Sequence, residues 1–252
     1  MSPLQQRFAG LATQQLAAAG RAPTMPMEFR SQAGEDVAVW NILGRPIDGF
    51  YIEVGAFDGK AFAVTYALDC LGWKGLLVEA IPERYAQCVA NRPNARVVHA
   101  ALGPPGQAKT TKLTITDDQT GGMLSHVGAG AVRPTDMVTS KRQVEVPFTT
   151  MDELLKGYKG EIDLAVIDVE GFEIPLLQGF NLKKHRPRLL LIEDVEPDDE
   201  KGRTRITKYM HAQGYKLNAD VTNNRVFARS DLAAEFATRF NGVGWPRPNR
   251  RI

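Results

Sequence analysis

Residues 49–59 read Gly-Phe-Tyr-Ile-Glu-Val-Gly-Ala-Phe-Asp-Gly, and no other stretch of the chain restricts its fold as tightly. Phe50, Tyr51, Ile52 and Val54 form a short aromatic and β-branched run, the composition of a buried strand. Gly55 and Gly59, with Phe57 and Asp58 between them, break that run as expected where a strand gives way to a tight turn and a helix. In an open α/β sheet, the first such turn borders the crevice that takes a nucleotide-like cofactor.

The turn also narrows the cofactor. A dinucleotide loop needs Gly-x-Gly-x-x-Gly, so that bare backbone N–H groups can approach a pyrophosphate. Here the middle glycine is missing, and Asp58 would repel a phosphate but attract an ammonium or a sulfonium. S-adenosylmethionine carries both cations and no phosphate. Leu76, Leu77 and Val78 read as the next buried strand, which ends in Glu79. An acid about 20 residues beyond the glycine turn is placed to accept hydrogen bonds from a ribose diol. On this reading Glu53, Gly55, Ala56, Asp58, Gly59, Glu79 and Ala80 border the cofactor, with Ala101 in the adenine pocket. The plainer alternative is a generic α/β turn with solvated acids at its strand ends.

The rest of the chain repeats the same alternation. Leu4, Phe8, Leu11 and Leu16 recur at helical spacing, predicting an amphipathic helix that docks on the domain or on a second subunit. Val37, Val39, Trp40 and Leu43 predict a helix with an acidic first turn at Glu35 and Asp36. Helices are expected over 61–71 and 82–91, and a third strand over 96–102, stopped by Gly103-Pro104-Pro105-Gly106. Residues 112–116 and 143–146 alternate like strands. Between them, residues 117–141 show no helical period; a connection that long reads as a lid or substrate loop over the crevice. Thr150-Met151-Asp152-Glu153 is a capping box, and the nearly all-apolar run 162–167 suits a central parallel strand. A fifth buried strand follows at 188–192, then a helix over 199–213 and a hairpin at 215–229 turning at Asn223-Asn224. The pattern specifies an α/β fold: a Rossmann-like, doubly wound, mostly parallel sheet with a C-terminal antiparallel hairpin. Residues 1–28 are read as an N-terminal helix and linker, 29–230 as the main domain, and 231–252 as a C-terminal helix and basic tail.

Composition excludes several classes of function. A net charge of +2 leaves no electrostatic footprint for nucleic acid, and Arg247, Arg250 and Arg251 form only a short tail. Two cysteines, Cys70 and Cys88, can build neither a disulfide framework nor a cysteine zinc site. No run reaches the roughly 18 apolar residues of a membrane span. Glutamines interrupt the apolar spacing of the first helix, so no secretory signal is expected there and a cytoplasmic location is. The N-terminal helix makes a homodimer compatible with the sequence.

In its order of motifs the chain resembles the FkbM family of S-adenosylmethionine-dependent methyltransferases. The resemblance rests on Glu53-Val-Gly-Ala-Phe-Asp58-Gly, Glu79 and Asp168-Val-Glu170-Gly-Phe-Glu173 at three successive strand ends. It extends to Ser31-Gln32-x-Gly34-x-Asp36, to Gly72-Trp73-x-Gly75 and to the capping box, covering about Ser31 to Arg229. It differs from the family pattern at Ala63-Val64, at Ala80 and at Val166. The resemblance implies a class I methyltransferase fold and O-methylation of sugar hydroxyls or natural-product scaffolds, hence a carbohydrate or small-molecule acceptor. Gln32, in the entry motif, joins the cofactor-binding set.

Methyl transfer needs the acceptor oxygen aligned with the methyl carbon and its proton removed. Asp168 and Glu170 open into the crevice, and one of them is expected to be the general base or the anchor of the acceptor hydroxyl; Asp168 also faces the cofactor. His126, in the long loop, is the second candidate base. Glu173 is expected to cap the following helix. Glu193 and Asp194 could join Asp168 around a divalent cation, but no metal is the favoured reading. Two competing functions are a nicotinamide-dependent oxidoreductase or epimerase, and a cofactor-binding module without transfer. The missing glycine and Asp58 stand against the former.

Overall fold

The computed structural model describes residues 1–118, 124–127, 138–196, 198–200 and 204–241. The elements follow in order as α1 (Pro3–Ala18), α2 (Glu35–Ile42), β1 (Phe50–Val54), α3 (Tyr66–Leu71), β2 (Lys74–Glu79), α4 (Pro82–Asn91) and β3 (Arg96–His99). Next come β4 (Ala101–Leu102), β5 (Thr110–Asp118), β6 (His126–Val127), β7 (Val138–Thr149), α5 (Met151–Leu154), β8 (Leu164–Ile167) and α6 (Glu173–Gln178). The chain continues through α7 (Leu182–His185), β9 (Leu189–Glu193), α8 (Arg205–Ala212), β10 (Tyr215–Val221), β11 (Asn224–Arg229) and α9 (Ala233–Asn241).

Seven strands form the main sheet in the order β10-β11-β9-β8-β1-β2-β3. All pairs from β9 to β3 are parallel, and β11 runs antiparallel to both β9 and β10. This is the doubly wound sheet with a terminal hairpin that the sequence specifies. The strand order reverses beside β1 and β8, where connections leave to opposite faces and open a crevice at the carboxyl ends. Alternate residues of each strand feed two cores: Tyr51, Leu77, Val166 and Leu191 face one, Ile52, Val78, Ile167 and Ile192 the other.

Several expectations shift in detail. The helix expected over 61–71 starts only at Tyr66, because the preceding backbone is claimed by other partners. Phe62 lies in the left-handed region at φ 60° and bridges to Ser31, while Val64 N–H donates to the Glu53 carboxylate. The third strand breaks at Ala100: β3 stays in the main sheet, and β4 pairs instead with β7. Strands β5 and β7 are longer than the alternation suggested and, with β6, form an antiparallel ribbon. The expected lid therefore falls partly within β5, β6 and β7; residues 119–123 and 128–137 lie outside the described residues. Helix α8 starts at Arg205 because Thr204 supplies its cap, its side chain accepting from Thr207 N–H. The hairpin turns one residue earlier than expected, with Val221 paired to Asn224.

Helix α1 docks on its own domain. Phe8, Ala12 and Leu16 are buried, and the Phe8 ring meets Phe29 and Trp40 edge-on at centroid distances of 6.3 and 6.2 Å. Phe236 of α9 is buried in the same core. Among the described residues, no helix is long and apolar enough to cross a membrane. The basic tail lies outside the described residues.

Candidate active site

The turn after β1 opens with two backbone hydrogen bonds to β2. Gly55 and Ala56 N–H both donate to Val78 O, at 3.0 and 3.2 Å. Gly55 sits at φ 80°, and a Cβ there would lie 1.8 Å from Asp168 O, so only glycine lets the two central loops close on each other. Two cavities open on either side of this contact. Val54, Gly55, Phe57 and Asp168 line both.

The first cavity lies over the ends of β2 and β4. Glu79, at its edge, is buried, and its carboxylate accepts from Phe57 N–H and Ile81 N–H, each at 2.7 Å. Desolvation pushes its pKa up to about 7 despite those bonds. Ala80, Ile81, Ala101 and Leu102 supply an apolar wall, and Ser125, His126 and Val127 close the cavity from the ribbon. The Phe57 ring stacks under the Arg84 guanidinium at 4.0 Å. His126 Nδ1 is 3.0 Å from Leu124 O, and the residue is half-buried at the cavity wall.

The second cavity lies between the 61–64 segment, the entry to α2 and the start of β11. Gln32, Glu35, Glu53, Ala56, Phe62 and Asn224 line it with Asp168. Glu53 is committed to the fold: it accepts from Val64 N–H at 2.9 Å and from the Thr65 hydroxyl, with Arg92 at 3.7 Å.

Asp168, which lines both cavities, belongs to a group of acids at the ends of β8 and β9. One carboxylate oxygen each from Asp168, Glu170 and Glu193 lies within 4.8 Å of the others. Desolvation holds the Asp168 carboxyl well above its usual range, and the neighbouring Glu193, Glu170 and Glu173 push it the same way. Glu170 sits in the left-handed region at φ 56°, while Glu173 bends back so that its Oε1 accepts from Val169 and Gly171 N–H, at 3.1 Å each. Glu173 therefore braces the loop that carries Asp168 and Glu170, at the start of α6. Acids so gathered have the oxygen ligands a divalent cation takes. Asp194 is not among them: it pairs with the buried Arg225 at 3.0 Å and accepts from Thr204.

The structure thus brings Gln32, Glu53, Gly55, Ala56, Glu79, Ala80, Ala101, Asp168, Glu170 and His126 to the two cavities. Asp58 and Gly59 line neither. Asp58 Oδ1 turns to accept from Lys60 and Ala61 N–H, at 2.8 and 2.7 Å, an acid closing its own turn. Gly59 packs on α4, where a Cβ would meet Cys88 Sγ at 2.8 Å. The sequence reads Phe57 as packing rather than as a wall of the site, and it gives no sign of Ile81 or Asn224, because apolar and amide side chains carry no pattern that marks them. It also missed Arg92, whose partners are drawn from three separate elements.

The Methyltransferase FkbM domain family matches residues 53–217 of the chain. No curated protein sequence matches. Solved structures similar in fold include a TehB-like SAM-dependent methyltransferase from Corynebacterium glutamicum, 14% identical, covering 89% of this chain and 97% of that one at a TM-score of 0.42. The methyltransferase domain of METTL16 is 13% identical, with 88% and 78% covered and a TM-score of 0.44. An O-methyltransferase from Bacillus cereus in complex with SAH is 13% identical, with 87% and 89% covered and a TM-score of 0.41.

Proposed function

The chain belongs to the FkbM methyltransferase family, and from that premise we propose that it is an S-adenosylmethionine-dependent O-methyltransferase acting on a hydroxyl of a sugar, glycan or natural-product small molecule. The observation that carries the reading is the meeting of two cavities at Gly55 and Asp168, with a buried acid on the cofactor side and a cluster of acids at the junction. S-adenosylmethionine, when bound, supplies an electrophilic methyl group on a sulfonium.

The residues divide the remaining work. Glu79, ionised, accepts the ribose hydroxyls, and the wall of Ala80, Ile81, Ala101 and Leu102 takes the adenine. Gly55 and Ala56 approach the methionyl part closely, and the Gln32 amide bonds its polar end. The acids at the junction make a negative field that favours a cation and disfavours an anionic acceptor. Asp168 or Glu170 takes the proton of the acceptor hydroxyl; His126, on the opposite wall, is the second base.

Titration calorimetry with S-adenosylhomocysteine tests the cofactor half. Binding by the wild type and its loss in Glu79→Ala are expected; a wild type that binds none overturns the reading. A radiolabelled methyl-transfer screen over hydroxylated acceptors, with Glu170→Gln as control, tests the chemistry. Transfer to nitrogen or carbon acceptors alone would replace the O-methyl assignment.

A further inference from the structure

The first cavity draws its apolar walls from distant parts of the chain. The ends of β2 and β4 supply Ala80, Ile81 and Ala101, and the ribbon supplies Leu113 and Val127; all five belong to one apolar cluster. Leu113 of β5 stands directly opposite Val127 of β6, so the two side chains leave the ribbon on the same face. Ser125, two residues before Val127, lines the same cavity.

The polar side chains around this cavity are already engaged, with one exception that matters. Glu79 accepts from Phe57 and Ile81 N–H, and Asp168 and Glu170 belong to the acids gathered beyond β8 and β9. His126 turns its Nδ1 to Leu124 O. Ser125 is engaged on one side only: its Oγ accepts from Thr116 N–H at 3.1 Å. A hydroxyl has one proton and two lone pairs, so that bond anchors the oxygen and leaves the proton to be donated. A pocket with apolar walls and a few placed polar groups selects its ligand by the groups those few can reach. Here the match is a flat heterocycle whose ring nitrogens accept. Adenine has this form, and the chain places no acid beside Ala101 to bind its exocyclic amine.

We propose that Ser125 is a specificity-determining residue of the cofactor site, its hydroxyl donating to a ring nitrogen of the adenine, with Leu113 and Val127 joining Ala80 and Ala101 as the apolar walls of the base. The segment after β5, expected from the sequence to be a lid or substrate loop, thereby reads the cofactor. The inference rests on the S-adenosylmethionine reading above.

Titration calorimetry tests it, with S-adenosylhomocysteine and with analogues in each of which one acceptor nitrogen of the adenine is replaced by C–H. In the wild type, one analogue is expected to bind about tenfold more weakly than the parent. In Ser125→Ala the parent weakens by about that factor, and the analogue's deficit disappears, as a double-mutant cycle requires of a direct contact. Ser125→Thr keeps the hydroxyl and retains the wild-type pattern. A hydroxyl that serves only to hold Thr116 would lower Tm in Ser125→Ala and shift parent and analogues by the same factor; that result overturns the inference. So does a wild type that binds every analogue as tightly as the parent, or a deficit that persists unchanged in Ser125→Ala. A wild type that takes no S-adenosylhomocysteine overturns the cofactor reading itself, and the first titration tells that failure apart from the others.

Discussion

Glu53 on β1 and Asp168 just beyond β8 stand on neighbouring strands, yet their carboxylates meet opposite surroundings. Glu53 lies beside a fully buried arginine: Arg92 is 3.7 Å from it and 3.0 Å from Asp69, and donates to Gly59 O at 2.7 Å, to Thr65 and to Tyr51. Asp194, beyond β9, is matched in the same way by Arg225. Asp168 instead faces Glu193, Glu170 and Glu173, which raise its proton affinity further. Where the charge is neutralised, the acid fixes backbone: Glu53 and Arg92 together hold the segment from Gly59 to Thr65 that walls the second cavity. Where like charges gather, each carboxylate raises its neighbour's proton affinity, the environment typical of a functional site.

The largest effect should come from breaking the neutralised side. Arg92→Leu leaves Glu53 and Asp69 without their buried cation, and urea unfolding should show a loss of about 3–5 kcal/mol. A loss under about 1 kcal/mol would mean that water or protonation relieves those acids, and the contrast between the two strand ends would disappear.

Asp168→Asn should act in the reverse sense on stability. The Asp168 carboxyl has a raised proton affinity in the fold, so its contribution is present at low pH and lost as pH rises through its folded value. Asparagine carries no charge to lose. The variant should match the wild type in acid and exceed it by about 1 kcal/mol in mild base. Methyl transfer should fall about 10²-fold or more if Asp168 is the base. Thermal unfolding against pH, read beside a transfer assay, checks both; a variant less stable at every pH would show that Asp168 is held by favourable contacts.

Much of this contrast was invisible in the sequence, and the reason is physical. Strand runs such as Phe50–Val54 and Leu189–Glu193 announce themselves because burial on both faces demands apolar composition over a short, contiguous span. The acids ending them could likewise be read as crevice residues, from topology alone. What the sequence hides is which acid finds a cation. Arg92 follows α4 and reaches residues at 53, 59, 65 and 69, a set brought together only by tertiary packing. The shortened α3 has the same origin: local spacing favoured a helix from residue 61, but Glu53 and Ser31 offered the backbone better partners. The α1 docking face was legible as an apolar stripe; its target, Phe29 and Trp40, was not.

At the first cavity, Glu79 sharpens the comparison through pH. Desolvation raises its pKa from 4.5 to about 7, so it too costs the fold stability as pH climbs across that window. A ribose diol bonds the ionised form, which couples binding to proton release. The dissociation constant for S-adenosylhomocysteine should weaken by up to about tenfold per pH unit below about pH 7 and level off above it. Glu79→Gln should bind more weakly and lose that dependence. A wild-type affinity flat from pH 5.5 to 8 would remove Glu79 from the ribose.

Asp58 should give the smallest effect, and it separates the sequence reading from the structural one most cleanly. By position in the glycine turn, Asp58 was expected to face the cofactor's cation, and its removal would then cost affinity. In the fold it lines neither cavity and spends one oxygen on Lys60 and Ala61 N–H. Asp58→Ala should therefore lower stability by about 1 kcal/mol, as loss of a side-chain-capped turn does. Its affinity for S-adenosylhomocysteine should stay within about threefold, against the much larger loss in Glu79→Ala. A tenfold or greater loss with Tm unchanged would place the Asp58 carboxylate on the cofactor after all. The turn would then have to reopen on binding, with Lys60 and Ala61 N–H released to water.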